Sequence, residues 1–288
     1  MNVDTLLTKS PPRADGTAGA VLASVSRQAR SADLRTKAQV YGGIVVLGVA
    51  VLLLWEFAVG FIVDPRYVSK PSEVGARLVE LALDGILWQH IGATMYAAGV
   101  GYLIGVVVGL AAAMMLVAFP LLDEICGPFL AAFYSIPKIA LAPLFIMWFG
   151  LDALPKVLLA ALMVFLIVLV NSVAGVRGIS PGLIEVSRVF GARGLRLARK
   201  VVLPGAAPAV MASIRLTFTR AMVGAILGEF IASTRGLGFL IVRSSRQFDT
   251  PTVFAGVLVV ALLVMLVNAL IRLAEARLLP WSTSEVRG

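Results

Sequence analysis

The sequence has little charge, and it is poor in the residue types that build soluble catalytic or metal sites. Only 14% of its 288 residues are charged and 59% are hydrophobic, with a mean hydropathy of +0.95. A soluble globular domain carries about 25% charged and about 45–50% apolar residues. Because a chain of this length still needs a polar surface in water, the composition excludes an ordinary soluble enzyme. It indicates a protein whose surface faces lipid.

Histidine and cysteine occur once each, as His90 and Cys126. A single cysteine cannot form an internal disulfide, and we expect Cys126 to be a buried thiol in apolar surroundings. A lone histidine excludes a histidine-rich metal site, and the scattered acids show no ligand spacing. His90 falls in a predicted outer loop without suitably spaced serine or acid partners. The sequence therefore predicts no catalytic residue and no metal site, which leaves a membrane enzyme unsupported.

Long apolar runs are abundant, and six are long enough to cross a bilayer, which needs roughly 20 residues. The predicted spans are 40–62, 92–119, 126–149, 157–176, 206–231 and 253–271. Pro137 and Pro143 interrupt the third span, so it must bend or break. Since irregular backbone at membrane depth needs cover from protein or water, we expect this span in the interior, near any pathway. The predicted fold class is an all-α membrane protein with six transmembrane helices.

The distribution of basic residues sets the predicted orientation. The net charge is +9, from 25 basic and 16 acidic residues. With the N-terminus inside, the inner segments hold 15 Lys and Arg residues and the outer segments hold 7. Since cytoplasmic loops are enriched in Lys and Arg, both termini are predicted in the cytoplasm, and no nucleic-acid partner is indicated. The predicted domains are a polar basic tail (1–37), a transmembrane domain (38–281) and a short tail (282–288).

Small and polar residues inside the spans predict helix packing. Gly101, Gly105 and Gly109 recur every four residues along the second span, a spacing that lets another helix approach closely. The alternative is glycine without a packing role. Asn171 and Asn268 lie in long apolar spans, and we expect them to bond across helices.

Ionisable residues inside the spans are candidates for a pathway or gate. Lys138 either faces a pathway or extends to the membrane surface, and Arg215 is expected to reach the cytoplasmic interface. Arg220 and Glu229 are nine residues apart, about 13 Å along one helix, so they cannot pair within it. The candidate pathway or gate residues are Lys138, Pro143, Arg220 and Glu229.

The basic loop 179–205 carries the most informative pattern. Ser180 and Pro181 form a helix-start signal, and Gly191 and Gly194 divide the loop into two short helices. The loop combines apolar residues with five basic ones between 188 and 200. Such an amphipathic helix pair can dock a soluble partner, and the alternative is a basic loop resting on anionic lipid headgroups.

This loop resembles the cytoplasmic motif of the inner-membrane permeases of ATP-binding-cassette (ABC) importers. That motif is Glu-Ala-Ala, three residues, Gly, nine residues, then Ile-x-Leu-Pro. Here Val-Ser replaces Ala-Ala and Val201 replaces Ile, while the spacing is unchanged. The ATPase-coupling residues that the resemblance implies are Glu185, Val186, Ser187, Gly191, Leu203 and Pro204.

The resemblance covers about residues 40–281 and is closest to the branch with taurine, aliphatic sulfonate and nitrate permeases. The matching runs are 71–74, 143–150, 203–208, 228–230, 236–238 and 279–281. One of them contains Glu229, which matches an acid of this branch and is expected to be a structural or gating hydrogen-bond group.

The resemblance implies a type I ABC importer permease, multi-pass in the bacterial inner membrane. Its expected partners are a second copy of itself, two cytosolic ATPase subunits, and a periplasmic or lipid-anchored binding protein. Segment 185–191 would be the coupling helix. The sequence has no Gly-x-x-x-x-Gly-Lys-Ser/Thr stretch. We therefore expect no cofactor in this chain, with ATP and Mg bound by the partner ATPase.

The solute is expected to be a small anion. Taurine, alkanesulfonates, nitrate, bicarbonate, a thiamine-precursor pyrimidine and aromatic acids stay open, because the binding protein selects the substrate in this family. The alternative function is an ion-coupled secondary transporter or channel. Such carriers often show corresponding broken helices in two repeated halves, whereas this sequence predicts one broken span.

Overall fold

The computed structural model describes residues 39–231 and 233–278, and the regular elements in these ranges are helices. The predicted tails (1–37 and 282–288) and the run 279–281 lie outside the described residues. The chain divides after Ile62 into two compact units. In the first, helix α1 spans Gln39–Ala58 and is long and apolar enough to cross a membrane.

The second unit contains ten α-helices within its described residues, and four of them have 25 residues or more. The four long helices are α3, α6, α9 and α11. The bounds are α2 Pro71–Leu83, α3 Ile86–Ala118, α4 Pro120–Ser135, α5 Ala142–Phe149, α6 Ala153–Arg177, α7 Pro181–Val189, α8 Gly194–Leu197, α9 Leu203–Ile231, α10 Leu237–Arg246 and α11 Thr250–Leu278.

Helices α3 and α6 touch along the predicted glycine stripe. A Cβ atom added at Gly101 would lie 2.6 Å from the Ala160 Cβ, and one at Gly105 would lie 2.6 Å from the Ala161 carbonyl oxygen. At Gly109 the carbonyl oxygen of Phe165 would be 2.9 Å away. The two backbones can approach this closely because these three positions carry no side chain. The predicted packing role of the stripe is confirmed.

Helix α9 packs on the opposite side of the same α6 residue. A Cβ added at Gly224 would lie 2.7 Å from the Ala160 Cα, so α6 is held between two glycine-bearing helices. Buried side chains of all three helices form the apolar core around this crossing. They are Ala97, Ala98, Val157, Ala160, Val164, Val168, Phe218, Ala221, Met222 and Ala225.

Five helices of the described chain are long and apolar enough to cross a membrane. They are α1, α3, α6, α11 and the helix of residues 198–231 that contains α9. A sixth span is formed if α4 and the helical segment Lys138–Phe149 are counted together, although they are bent by 87°. The six predicted spans are therefore found, and the third is the broken one.

The proline at position 137 causes the break. A proline disfavours helical backbone at the preceding residue, and Ile136 has φ −68° and ψ +129°, which ends α4. A 3₁₀ turn, Lys138–Leu141, follows. Pro143 lies in the first turn of α5, where its missing N–H costs nothing. Pro143 therefore begins a helix and does not add a second break.

Three local expectations need correction. Helix α3 begins at Ile86, directly after Gly85 with φ +75°, so His90 lies in a helix and not in a loop. Cys126 is half-buried and not fully buried, and it packs against the apolar cluster that includes Leu116 and Leu169. Among the described residues α4 contributes none that is buried, so within one chain the break lies at the surface.

Helix α2 is fixed to the start of α11 by Arg77. The Arg77 guanidinium pairs with Glu80 at 2.6 Å and with Asp249 at 3.6 Å, and its Nε donates to Thr252 Oγ1 at 2.7 Å. The hydrogen-bonded Glu80 carboxylate raises the pKa of Arg77 further above its usual range. The guanidinium therefore stays charged at any working pH and links α2 to the start of α11.

Candidate functional site

Helix α7 exposes apolar side chains that the rest of the described chain leaves uncovered. It begins at Pro181, whose fixed φ and missing N–H suit the first helical position. Val186 is 54% exposed, Val189 85% and Phe190 86%. Contiguous exposed apolar residues mark contact with another protein or with a membrane. The predicted coupling segment is thus a preformed surface helix.

The end of α7 explains the glycine of the sequence motif. Gly191 has φ +82°, a region that side-chain-bearing residues avoid. Its N–H donates to the Arg188 carbonyl oxygen at 3.0 Å, and the Ala192 N–H donates to the Ser187 carbonyl oxygen at 2.9 Å. These two bonds form a Schellman motif. Gly191 therefore determines where α7 stops.

The other motif residues lie on α7 and at the start of α9. Glu185 is exposed, and the Ser187 hydroxyl donates to the Leu183 carbonyl oxygen one turn earlier at 2.7 Å. Leu203 is 52% exposed and follows a π-helical turn, Ala198–Val202. Pro204 comes next and has no N–H for the usual helical bond. The sequence motif therefore extends from α7 to the start of α9.

The carboxylate of Glu229 joins three helices at the other end of the bundle. Glu229 is 2% exposed. The Thr94 hydroxyl of α3 donates to its Oε1 at 2.8 Å, and the Gly238 N–H of α10 donates to its Oε2 at 2.7 Å. The Leu237 N–H donates to Thr94 Oγ1 at 2.8 Å. A carboxylate here satisfies free N–H groups of the first turn and complements the helix dipole.

The two glycines at 236 and 238 are needed because the carboxylate is so close. Gly236 has φ +120°, and a Cβ there would overlap the Glu229 carboxylate. A Cβ at Gly238 would lie 2.9 Å from Glu229 Oε2. The Gly236 N–H donates to His90 Nδ1 at 3.0 Å. These bonds give Glu229 hydrogen-bond partners on α3 and α10, and they give the single histidine a backbone partner as well.

The other predicted pathway residues do not join this network. The Lys138 ammonium donates to the Tyr134 carbonyl oxygen at 2.5 Å and lies 4.5 Å from the centre of the Tyr134 ring. It therefore bonds to the end of α4, next to the break. Arg220 is exposed on α9. Pro143 lies in α5, so the four candidates do not form one site.

Two interhelical contacts involve the remaining polar span residues. Arg215 Nη1 donates to Glu275 Oε2 at 3.2 Å and so links α9 to α11. The Asn268 amide donates to Thr219 Oγ1 at 3.2 Å, which confirms the bond across helices expected for it. Asn171 is exposed on α6, so the same expectation is not met within one chain.

A polar cavity with two cations was missed from the sequence. Lys156, in the first turn of α6, is 9% exposed, and its Nζ donates to Ser233 Oγ at 2.8 Å. The cavity beside it, about 860 Å³, is also lined by Tyr96, Asp152 and Arg235. The predicted fourth span, 157–176, begins one residue after Lys156. The signal that could have revealed this lysine is the position of Lys156 directly before an apolar run.

No metal site is formed by the part of the chain that the structure describes. Within residues 39–231 and 233–278, no group of three or more His, Cys, Asp or Glu side chains is arranged to hold an ion. His90 instead accepts a backbone hydrogen bond, and Cys126 packs against apolar neighbours.

The helical arrangement matches a known fold. It superposes on a subunit of the methionine ABC transporter MetNI in an inward-facing conformation, with a TM-score of 0.57. The match covers 68% of this chain and 96% of the other at 22% sequence identity. The fold is therefore that of an ABC importer permease.

Sequence comparison gives the family. The model of the binding-protein-dependent transport system inner membrane component matches residues 105–280. The chain is 32% identical to a putative aliphatic sulfonates transport permease of Bacillus subtilis, over 83% of this chain and 87% of the relative. It is 35% identical to a riboflavin transport system permease of Chloroflexus aurantiacus, over 84% and 91%. The chain belongs to the family of binding-protein-dependent transport system inner membrane components.

Proposed function

We propose that this chain is the membrane subunit of an ATP-driven importer and forms the translocation pathway for a small anion. It would work as a pair with a second copy, in the bacterial inner membrane, with both termini in the cytoplasm. Two cytosolic ATPase subunits would bind ATP and Mg, and a periplasmic or lipid-anchored binding protein would deliver the solute.

The observation that carries this proposal is the exposed helix α7. Its apolar residues Val186, Val189 and Phe190 are more than half exposed, at the site where the family motif occurs. Burying such side chains on a partner contributes about 25 cal/mol per Å² of apolar surface. A short helix with a fixed end suits a groove on a soluble subunit, because little ordering is needed on binding.

The two ends of the bundle suit different tasks in this proposal. Helix α7 and the Schellman turn at Gly191 would receive the ATPase movement. The helices α3, α6 and α9 would transmit it, because their backbones touch at Ala160 and resist compression. The Glu229 network would keep α10 attached to α3 and α9 at the opposite end during the movement.

The proposed solute is an anion such as taurine, another sulfonate or nitrate. The sulfonate relative supports an anion, while the riboflavin relative shows that permeases of similar sequence serve other solutes. Selection among solutes would therefore depend chiefly on the binding protein. Lys156 and Arg235 line a cavity of this chain and are the cations that would meet the anion.

Affinity purification of the chain expressed with its neighbouring genes tests the proposal. We expect an ATPase to co-purify and its turnover to rise when the binding protein is added with taurine. The variant Val189→Asp should no longer co-purify the ATPase, because docking would have to desolvate the new charge on the apolar face of α7. A matched variant on an exposed face away from α7, Val79→Asp, should keep it.

The alternative, an ion-coupled secondary transporter or channel, makes the opposite prediction. In that case the chain would purify without an ATPase and move solute under an ion gradient alone. Uptake in proteoliposomes with and without ATP distinguishes the two. Gradient-driven uptake without ATP would overturn the importer proposal.

A further inference from the structure

We infer that the cavity between α3, α6 and the turn before α10 binds the sulfonate or carboxylate group of a small organic anion. This inference rests on the proposed function, because it names where the imported solute would contact the chain. We call the site the Lys156 cavity. Its polar lining residues are Gln89, Tyr96, Asp152, Lys156, Thr234 and Arg235.

The Lys156 cavity has the size of a small-molecule site. Its volume is about 860 Å³, within the roughly 300–1,000 Å³ of typical ligand pockets. Leu151 and Ala97 add apolar surface to the polar residues. Such a mixture suits an organic anion with a short carbon chain better than a fully hydrated inorganic ion.

Lys156 is a buried cation whose hydrogen-bonding capacity is not used up. Burying an ammonium at the edge of a membrane is costly unless the charge is compensated. Glu229 and Asp152 attract it electrostatically, but the Glu229 oxygens already accept bonds from Thr94 and Gly238. Among the described residues, Ser233 Oγ is the hydrogen-bond partner of Lys156 Nζ. An ammonium has three donors, so Lys156 can also donate to an oxygen of a ligand.

Arg235 supplies the second cation, and Ser233 fixes the backbone of Arg235 beside Lys156. The Ser233 hydroxyl donates to the Arg235 carbonyl oxygen at 2.5 Å, and the Arg235 N–H donates to Ser233 Oγ at 3.2 Å. The planar guanidinium matches the geometry of carboxylate-like oxyanions. With Asp152 on the wall, two cations face one carboxylate, so the cavity suits one anionic group rather than a dianion.

The position of the cavity connects it to the Glu229 network. Ser233 and Arg235 lie in the turn between Glu229 and Gly236, whose N–H is held by His90. An anion bound between Lys156 and Arg235 would therefore contact the segment that fixes α10. This connection gives a route by which an arriving solute could act on helix packing.

Cysteine accessibility at the cavity wall tests the inference. Thr234→Cys is made in a Cys126→Ala chain and reconstituted in nanodiscs of zwitterionic lipid. It is then treated with an anionic reagent, 2-sulfonatoethyl methanethiosulfonate, and with its cationic trimethylammonium analogue. We expect the ratio of the anionic to the cationic labelling rate to be higher at Thr234→Cys than at Ala76→Cys, an exposed position on α2. Ethanesulfonate should slow labelling at Thr234→Cys and not at Ala76→Cys.

Charge-removing variants assign the effect to the two cations. Arg235→Gln, at an exposed position, and Lys156→Gln should each lower the anionic-to-cationic rate ratio by at least about threefold, because one unit charge within several ångströms changes the local potential. Arg243→Gln is the control, since it lies at the same end but lines another cavity. Arg235→Gln keeps the test valid if Lys156→Gln does not fold.

Three results would overturn the inference. The first is an anionic-to-cationic labelling ratio that Arg235→Gln leaves unchanged. The second is a labelling rate at Thr234→Cys that ethanesulfonate does not slow. The third is slower labelling of Thr234→Cys that appears only when anionic lipid is added. The last result would assign the cavity to a lipid headgroup. None of these measurements involves the ATPase, so loss of ATPase co-purification would contradict the proposed function separately.

Discussion

The Thr94 hydroxyl and the Glu229 carboxylate form a buried hydrogen bond of 2.8 Å although they are 135 residues apart in the chain. Thr94 also accepts the N–H of Leu237, and Glu229 accepts that of Gly238. The pair thus caps the first turn of α10 and holds three helices at one end of the bundle. A helix start that is buried needs such partners for its free N–H groups.

Removing the carboxylate should weaken this end of the bundle. We expect Glu229→Ala to lower the free energy of unfolding by on the order of 3 kcal/mol, because the buried Gly238 N–H loses its acceptor. Glu229→Gln keeps one acceptor oxygen and should lose less. Thermal unfolding in nanodiscs measures both, with the exposed Glu124→Gln as the control. Equal midpoints for Glu229→Ala and Glu124→Gln would show that the network contributes nothing.

The glycine stripe on α3 offers a matched pair of substitutions. In Gly101→Ala the new Cβ would meet Ala160 at 2.6 Å, so α3 and α6 must separate. We expect a loss of about 1–3 kcal/mol. A Cβ at Gly99 meets nothing within 4 Å. Gly99→Ala should be neutral or stabilising by up to about 1 kcal/mol, since alanine favours the helix. If Gly101→Ala unfolds no earlier than Gly99→Ala, close packing is not needed here.

Helix α7 offers a second matched pair. Gly191→Ala places a side chain at φ +82°, which costs about 1–2 kcal/mol in the left-handed region, so the Schellman turn should loosen. We expect ATP hydrolysis without matching uptake, and the same from Gly191→Asp and Glu185→Lys. Gly182→Ala, whose Cβ meets only Ser180 Oγ at 3.8 Å, is the control. Normal uptake per ATP in Gly191→Asp would exclude a coupling role for this turn.

The Arg77 contacts predict a local effect on α2. Arg77→Gln loses the ion pairs with Glu80 and Asp249 and the bond to Thr252, so α2 should exchange its amide hydrogens faster. We expect a loss of about 1–2 kcal/mol of protection, confined to α2 and the start of α11. Since the raised pKa of Arg77 keeps it charged, the protection it gives should not change as the pH rises through the neutral range. Arg66→Gln, at a highly exposed residue paired with Asp64, should leave exchange unchanged.

Deleting residues 1–30 should leave transport intact. This segment has no apolar run long enough to span a membrane, so the prediction rests on the sequence alone. Uptake of labelled taurine by cells with the truncated chain measures it, at matched amounts of protein in the membrane. A collapse of uptake at equal expression would assign the segment a role in assembly.

The elements that could be predicted from the sequence are those set by local rules. Six apolar runs of sufficient length give the spans, and Pro137 gives the break, because its ring restricts Ile136 whatever surrounds it. The surface helix α7 could be predicted from the spacing around Gly191, whose left-handed backbone is needed to end it. The glycine stripe was found in the same way, since its four-residue period reflects the geometry of one helix face.

The polar networks could not be predicted, because they depend on residues far apart in the chain. Lys156 bonds to Ser233, 77 residues later, and His90 accepts from Gly236, 146 residues later. Sequence reasoning therefore named Lys138, Pro143, Arg220 and Glu229 as candidate pathway or gate residues. In the described part of the chain, Glu229 is the one of these four that belongs to a buried network. The same reasoning placed His90 in a loop because the helix start after Gly85 was not recognised, and it began the fourth span one residue after Lys156 because the start of α6 after Asp152 was not recognised.

The sequence by itself determined that this is a membrane permease and where the surface helix α7 begins and ends. It could do so because hydrophobic length, proline and glycine positions and motif spacing act within a few turns of one chain segment. The tertiary structure alone decided which polar groups meet. It brought Glu229 to Thr94 and Gly238, and it set Lys156 and Arg235 around one cavity. The physical reason is that a buried charge is tolerated only where distant segments supply its partners, and those partners are fixed by helix packing.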